Sequence, residues 1–255
     1  MRKRVTPLFV ITVGILLLFG SCRPARSIQE RVTLVDIIQS GGLKEPLSIE
    51  LTFIVGEEHN HPTFAIWIED LEGNYIQTLF ITRYLGTGVY GHGAIDREVW
   101  KSVPGPQQRP ATLPYWLHKR SAYFNVPLLP DSVHPVVDGY TGATPKADFV
   151  LRSGIKKEIP GKFMVMLEIN QPWDWNEFWT NGLYDDPDYR TSCQPSLVYS
   201  VTVDPLNPDR EYFLNPIGHG HYAGKNGKLY TDLSTITTAR DILAKASVKL
   251  IKNER

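Results

Sequence analysis

The chain has 255 residues, and 27 lysines and arginines balance 27 aspartates and glutamates, so its formal net charge is zero. The sequence contains no basic stripe with interleaved aromatic residues, which is what binding to a phosphate backbone requires, so nucleic acid is not expected as a partner. Once an N-terminal leader is set aside, the length suits one large domain, or one domain with an elaborated insertion.

The first residues have the order of a signal peptide. Three basic residues at positions 2–4 precede an apolar run at residues 8–19 that is too short to span a bilayer comfortably. Small residues then lead into Cys22, an order that resembles a bacterial lipobox, in which the cysteine is acylated and becomes the new N-terminus. Phe19 stands where the usual lipobox has leucine. The alternative is an ordinary signal peptide with an incidental cysteine.

This interpretation divides the chain into a signal peptide at residues 1–21, a lipid-anchored tether at residues 22–30 and a single domain at residues 31–255. Acyl chains on Cys22 would hold the protein on a membrane without a transmembrane helix. We therefore expect an exported protein, lipid-anchored in the bacterial cell envelope on the periplasmic side or at the outer membrane. The other cysteine, Cys193, is predicted to be a buried small residue, with a metal ligand as the alternative.

Alternation of apolar and polar residues dominates the rest of the chain. Six stretches with this period predict half-buried strands: Leu47–Val55, Thr63–Glu69, Tyr75–Thr82, Phe149–Arg152, Phe163–Ile169 and Leu197–Val203. The polar segment between the second and third stretches predicts a β-hairpin. Helical signals are few: Ala94–Lys101, Tyr115–Phe124 and Ala239–Ala244, the last capped by Ser234 or Thr235 and followed by a strand near Val248–Ile251.

Many short strands with proline and glycine at the joints, and little helix, favour an antiparallel immunoglobulin-like β-sandwich. The segment from about residue 85 to residue 146 is too long for a simple turn. Its prolines predict a long irregular insertion at one end of the sandwich. Functional residues are concentrated in such segments.

Five short motifs carry a family resemblance: Ala-Ile-Trp-Ile-Glu-Asp at 65–70, Asp-Gly-Tyr-Thr-Gly-Ala-Thr-Pro at 138–145, Leu-Glu-Ile-Asn at 167–170, Gln-Pro-Ser-Leu-Val-Tyr at 194–199 and Gly-His-Gly-His at 218–221. Together they resemble the exported family called domain of unknown function 2271. Its members are described as distant relatives of the immunoglobulin-like part of flagellar hook-capping protein. The resemblance implies the sandwich fold and little about function, because fold and function are separable.

The segment 138–144 also resembles the acceptor motif of flavin-modified exported proteins, which include subunits of sodium-pumping membrane redox complexes. That motif is Asp, two variable residues, Ser or Thr, Gly or Ser, Ala, then Thr or Ser. All its fixed positions are matched here, by Asp138, Thr141, Gly142, Ala143 and Thr144. In such proteins a magnesium-dependent flavin transferase joins the phosphate of FMN to the final hydroxyl. The resemblance thus implies covalent FMN on Thr144, with a flavin transferase and envelope redox proteins as partners.

The residue types suit this chemistry. Thr144 offers the alcohol nucleophile, Gly142 and Ala143 are small enough for another enzyme's active site to close around them, and Asp138 could order the loop. Thr144 would then be a modified residue rather than a catalytic one. The alternative is a simple turn before the strand at residues 147–152, because Asp-Gly and Thr-Gly both favour bends.

Aromatic residues form a second group in the segment 173–179. The rings of Trp173, Trp175, Phe178 and Trp179 could flank an isoalloxazine or bind a sugar or a peptide. The interpretation that the sequence favours is that they plug the open end of the sandwich.

Histidines occur in two His-x-His pairs, His59 with His61 and His219 with His221. On an extended strand, alternate side chains share a face, so each pair could offer two imidazoles to one metal ion, and both pairs together could form a closed tetrahedral site. Neither pair has the cysteine or carboxylate spacing of a known metal motif. Exposed loop histidines are the alternative.

Conventional enzyme motifs do not occur in the sequence. There is no Gly-x-Ser-x-Gly elbow, no His-Glu-x-x-His, no glycine-rich phosphate loop followed by lysine and no dinucleotide fingerprint. We therefore predict no catalytic residue and expect a carrier or binding protein. Two functions stay open: a lipid-anchored electron-transfer protein with FMN on Thr144, or a non-enzymatic immunoglobulin-like adaptor or ligand-binding module of the cell envelope.

Overall fold

The structure is a computed structural model that describes residues 35–40, 45, 47–96 and 99–252. The predicted signal peptide, the predicted lipid attachment at Cys22 and the tether lie outside the described residues. Within the described ranges, no helix combines the length and the apolar character needed to cross a membrane.

Strands dominate the described part of the chain. In chain order they are β1 (Asp36–Ser40), β2 (Leu47–Val55), β3 (Thr63–Glu69), β4 (Tyr75–Thr82), β5 (Val89–Tyr90), β6 (Ala94–Asp96), β7 (Val99–Trp100), β8 (Gly105–Pro106), β9 (Tyr140–Gly142), β10 (Phe149–Gly154), β11 (Phe163–Asn170), β12 (Leu197–Val203), β13 (Tyr212–Phe213), β14 (Asn215–His219) and β15 (Leu243–Lys252). The helices are short: α1 (Arg83–Thr87), α2 (Pro114–Phe124), α3 (Pro187–Arg190) and a 3₁₀ turn at Thr238–Asp241.

Two open sheets pack as a β-sandwich, so the predicted fold class is confirmed. The first sheet has the order β1-β10-β2-β15-β13, and the second has the order β14-β12-β11-β3-β4-β9. Two small ribbons, β5 with β8 and β6 with β7, accompany them. All six predicted strands are present, and four of them have the predicted bounds. The predicted hairpin is β3 with β4.

Both large sheets are mixed rather than purely antiparallel. Most neighbouring strands run antiparallel, but β1 pairs in parallel with β10, and β9 pairs in parallel with β4. Strand β9 follows β4 only after the long segment that contains α2, and a long connection of this kind allows a parallel return.

The helix predicted over Ala94–Lys101 is wrong. Strands β6 and β7 form a short antiparallel hairpin there instead. The segment contains the β-branched residues Ile95 and Val99 and the aromatic residue Trp100, which favour strands over helices.

The helix predicted over Ala239–Ala244 is also wrong. A single 3₁₀ turn ends at Asp241, and β15 begins at Leu243, which pairs with Val55 of β2. The strand predicted near Val248–Ile251 is therefore part of a longer strand. Pairing along the whole of β2 outweighs the local helix preference of the alanines in this segment.

Aromatic stacking joins the two sheets in the sandwich core. The rings of Phe53 and Phe149 in the first sheet stack with their centroids 4.5 Å apart, and those of Phe64 and Phe80 in the second sheet do so at 5.1 Å. The rings of Phe64 and Phe149 bridge the sheets at 5.6 Å. Such pairs stabilise a core by about 1 kcal/mol each beyond the area they bury.

A second core lies on the outer face of the second sheet, where helix α2 packs. Every residue of β3 is buried as a result. Phe64, Ile66 and Ile68 point into the sandwich, whereas Ala65 and Trp67 point towards the buried side of α2. The insertion therefore covers a sheet face.

Helix α2 begins without a capping side chain of its own, because its N-cap residue is Leu113 and its first residue is a proline. The cap comes from Glu168 in β11, which is fully buried. Its Oε1 accepts a hydrogen bond from the Tyr115 N–H (3.1 Å) and its Oε2 one from the Trp116 N–H (2.7 Å). The Ser196 hydroxyl also donates to Oε1, at 2.5 Å. These bonds satisfy amides that are otherwise left open at a helix start.

The cap should make stability depend on pH, because burial raises the pKa of Glu168 to about 7 from an ordinary value of 4.5. The folded protein therefore binds a proton on Glu168 more tightly than the unfolded chain does. The free energy of unfolding should fall as pH rises from the ordinary pKa of 4.5 through the folded pKa of about 7. The expected loss is on the order of 3 kcal/mol. Glu168→Gln removes the titrating group. The fall in the free energy of unfolding, measured by urea unfolding from pH 4.5 to pH 8, should be smaller by this amount in the variant.

The matched control is Glu72→Gln, because Glu72 is an exposed residue of the β3–β4 turn. This variant should keep the pH dependence of the wild type. Parallel curves for the wild type and Glu168→Gln would show that the buried carboxylate does not titrate in this window.

Candidate functional site

The predicted flavin-attachment motif at residues 138–144 contains an edge strand. Strand β9 pairs with β4, with Phe80 opposite Tyr140 and Thr82 opposite Gly142. It is the last strand of its sheet in the described part of the chain. The motif is therefore built into a sheet and is more than a simple turn.

Asp138 begins the motif and is held by the insertion helix and by β4. Its Oδ1 accepts hydrogen bonds from Arg120 Nε at 2.8 Å and from Arg120 Nη2 at 2.7 Å. Its Oδ2 accepts one from the Tyr75 hydroxyl at 2.6 Å. Burial and the charge of Asp138 raise the pKa of Tyr75, so this hydroxyl stays protonated and donates. Asp138 thus joins the start of the motif to α2 and β4.

Close packing explains the glycine inside the motif. A Cβ atom added to Gly142 would lie 2.7 Å from Cε2 of Phe80 and 2.9 Å from Cε1 of Tyr140. The Phe80 ring cannot move away, because it is fully buried in the sandwich core, whereas Tyr140 is exposed. The protein's own packing therefore requires a glycine at position 142, whatever another enzyme's active site requires.

The end of the motif reaches the surface. Ala143 is exposed and Thr144 is half-buried. The Thr144 hydroxyl donates one hydrogen bond, to the carbonyl oxygen of Pro62 at 2.9 Å. The carbonyl oxygen of Pro145 lies 3.0 Å from Nε2 of His59. The motif's end is thereby joined to the loop of residues 56–62 that connects β2 and β3.

A groove opens on the other side of that loop. We define it by residues 57–60 and 171–175 together with Thr238, and its volume is about 370 Å³. His59 belongs both to the groove lining and to the contact with Pro145. The groove and Thr144 are thus neighbours at one end of the sandwich.

Exposed indoles stand at the groove. Trp173 is 48 % exposed and Trp175 is 57 % exposed, and Phe178 nearby is also exposed. The predicted aromatic plug is therefore wrong for these three residues, because nothing in the described structure covers them. Only Trp179 packs against the core, and its Nε1 donates to the hydroxyl of Thr235 at 3.0 Å.

The backbone that carries these indoles is strained. Trp173 has a φ of 63°, and Cys193, which is bridged to the next residue, Asp174, has a φ of 59°. A left-handed conformation costs a non-glycine residue roughly 1–3 kcal/mol and persists only where surrounding contacts impose it. Here the Trp173 N–H donates to the carbonyl oxygen of Thr191 at 2.8 Å.

Cys193 itself is fully buried, as predicted. Burial and the nearby charge of Asp174 raise the pKa of the thiol to about 11. The thiolate form is therefore scarce at neutral pH, and Cys193 is not an activated nucleophile.

Asp174 is buried at the base of the groove. Its Oδ1 accepts a hydrogen bond from the Thr238 hydroxyl at 2.5 Å, whereas its Oδ2 has no partner among the described residues. Burial, and then the charge of Glu58, raise the pKa of this carboxyl. An unsatisfied buried oxygen is costly, so Asp174 is an energetically unfavourable residue of the groove lining.

The two histidine pairs are not brought together. Both ring nitrogens of His59 face backbone carbonyl oxygens, and His61 is exposed. His219 stacks on Tyr230 with ring centroids 5.3 Å apart, and Nδ1 of His221 accepts a bond from a backbone N–H. In the described ranges, no three His, Cys, Asp or Glu side chains form a group that could hold a metal ion, so the four-histidine site is not formed.

Sequence reasoning missed Glu168 and Asp174 as important residues. Glu168 stands between two core residues of a strand, which is a signal that a carboxylate is buried and needs partners. Asp174 gave no such signal, because it lies in a polar and aromatic loop.

Comparison with known proteins gives no guide to this site: no family model, no curated protein and no solved structure matches the chain.

The Arg120–Asp138 pair should contribute to stability far more than an exposed pair. Asp138→Asn leaves the guanidinium without its counter-charge in a largely buried place, and the expected loss is about 2–4 kcal/mol in the free energy of unfolding. Asp185→Asn breaks the exposed Asp185–Arg190 pair of 2.9 Å and should cost less than about 1 kcal/mol. Urea unfolding at pH 7 measures both, and equal losses would contradict the structural role of Asp138.

Proposed function

We propose that this protein is an exported lipoprotein, anchored through Cys22, that carries FMN covalently on Thr144 and transfers electrons in the cell envelope. One observation supports the proposal most: Thr144 lies two residues after the edge strand β9, its motif is fixed at Asp138, and the loop that binds its half-buried hydroxyl also lines an open groove with exposed indoles.

The edge strand β9 offers an unpaired side to which a flavin transferase could bind. Strand β9 has a free side in the described structure, and an enzyme can pair with such an edge by adding a strand. Asp138 keeps the register of the segment fixed through Arg120. Ala143, which is exposed, leaves room around the acceptor.

The acceptor hydroxyl is available at small cost. Thr144 makes one described hydrogen bond through its hydroxyl, to the carbonyl oxygen of Pro62. It must give up that proton to the transferase when its Oγ1 bonds to the phosphorus of an activated flavin phosphoanhydride, whose P–O–P bond breaks as the other phosphate leaves. Loss of one half-buried hydrogen bond costs about 1 kcal/mol. Lys146, two residues further on, is exposed and can face the charge of the phosphodiester.

Bound FMN would supply the redox chemistry, and the protein would supply position and environment. The indoles of Trp173 and Trp175 offer flat apolar faces near the attachment point. A covalent link would also keep the cofactor from being lost by dilution outside the cytoplasm. Partners in this function are a flavin transferase and other envelope redox proteins.

A second function is a non-enzymatic ligand-binding module of the envelope. The groove itself favours it, because two exposed indoles and the acidic residues Glu57, Glu58 and Asp174 line one cavity. The two functions share the indoles of Trp173 and Trp175, so a flavin seated on these rings would compete with a ligand of the groove.

Intact mass spectrometry of the protein from a host that has a flavin transferase tests the FMN proposal. The wild type should gain the mass of FMN less water, Thr144→Ser should keep this gain because the alcohol remains, and Thr144→Ala should lose it. An unmodified wild type in the presence of an active transferase would overturn the proposal.

A further inference from the structure

We propose that the groove binds an organic ammonium cation. The inference rests on the binding-module function and does not depend on FMN attachment. Two of its carboxylates are exposed at the loop of residues 57–60, the third is the buried Asp174, and Trp173 and Trp175 carry the exposed aromatic faces.

The charge of the groove selects a cation. Glu57, Glu58 and Asp174 line it, and no lysine or arginine belongs to its lining within the described chain. A cleft lined by charges of one sign concentrates ions of the opposite sign. An anionic ligand would meet repulsion from these carboxylates, and a neutral ligand would gain hydrogen bonds from them but no attraction between opposite charges.

Asp174 gives the groove a specific partner for positive charge. The residue is only 8 % exposed, yet it lines the groove, and its Oδ2 has no hydrogen-bond partner among the described residues. Burial without a counter-charge disfavours the carboxylate form. Oδ2 is closed off from solvent, so an ammonium group in the groove would interact with the charge of Asp174 through space rather than by a direct hydrogen bond.

The tryptophans add a second attraction for the same ligand. The face of an indole ring carries negative charge density and binds ammonium groups, and aromatic rings around a quaternary ammonium are a recurrent binding arrangement. Trp173 and Trp175 flank Asp174 in sequence, and they stay exposed while Asp174 turns inward. Trp173 has the left-handed backbone conformation in this arrangement of two exposed indoles and one buried carboxyl, although that conformation is costly for a residue with a side chain.

Titration of the full chain with choline, followed by tryptophan fluorescence at constant ionic strength, tests the inference. We expect a saturable change with choline and at least tenfold weaker binding of its neutral isostere, in which carbon replaces nitrogen. Equal binding of the isostere would overturn the cation class and keep a ligand-binding groove. No saturable change with either compound would overturn the groove as a binding site. Neither result bears on whether Thr144 carries FMN, which the intact mass of the protein tests.

Variants on the surface of the groove make the test independent of folding. Trp175→Ala and Glu58→Gln change exposed side chains and should weaken choline binding about tenfold and about threefold. Phe178→Ala removes an exposed ring outside the groove lining and should leave binding unchanged. Equal effects of Trp175→Ala and Phe178→Ala would overturn the assignment to this groove.

A second ligand separates the sources of the ammonium group. N-acetyl-lysine amide presents a primary ammonium like that of a protein side chain, whereas choline presents a methylated one. Tighter binding of choline supports a small quaternary compound, and tighter binding of the lysine derivative supports a basic segment of a partner protein.

Discussion

Three carboxylates determine where helix α2 lies on the second sheet. Glu168 accepts two backbone N–H bonds at the start of the helix, Glu69 accepts a bond from Lys119 at 2.8 Å, and Asp138 holds Arg120. Glu69 also accepts a bond from the indole of Trp67, at 2.7 Å. A buried carboxylate is costly unless its oxygens accept hydrogen bonds from donors. Each of these carboxylates therefore favours the helix position that supplies its donor over positions that leave it without one. The apolar second core then fills the space between helix and sheet.

The helix position has consequences for the candidate site. Helix α2 buries β3 on both faces. Through Arg120 it also fixes Asp138, the first residue of the predicted flavin-attachment motif. The motif then pairs with β4 through β9 before it ends at Thr144. At this end of the sandwich the loop of residues 56–62 contacts Thr144 and Pro145 on one side and forms the groove on the other. The proposed flavin attachment and the proposed ammonium site are therefore neighbours on one rigid framework, although each depends on its own chemistry.

The strands could be predicted from the sequence because their apolar alternation is a local signal that tertiary packing reinforces. Of the three predicted helices, the one at Tyr115–Phe124 is confirmed, because α2 spans Pro114–Phe124. The other two are absent: residues 94–101 and 239–244 carry weak local preferences, and strand pairing overrides them. Asp138 was predicted as an ordering residue from its motif alone. The exposure of Trp173, the unsatisfied oxygen of Asp174 and the capping by Glu168 depend on contacts between segments distant in sequence, which no local pattern contains.

Native-state hydrogen exchange tests most directly whether the carboxylates join α2 to the sheet as one cooperative unit. The amides of Tyr115 and Trp116, which Glu168 binds, should exchange with the same free energy as core amides of β3 such as that of Ile66. The free energies of exchange of the two sets of amides should also converge to the same dependence on denaturant concentration. Exchange of the α2 amides at a free energy several kcal/mol below that of β3 (on the order of 3 kcal/mol or more) would show that the helix opens by itself and would contradict the account.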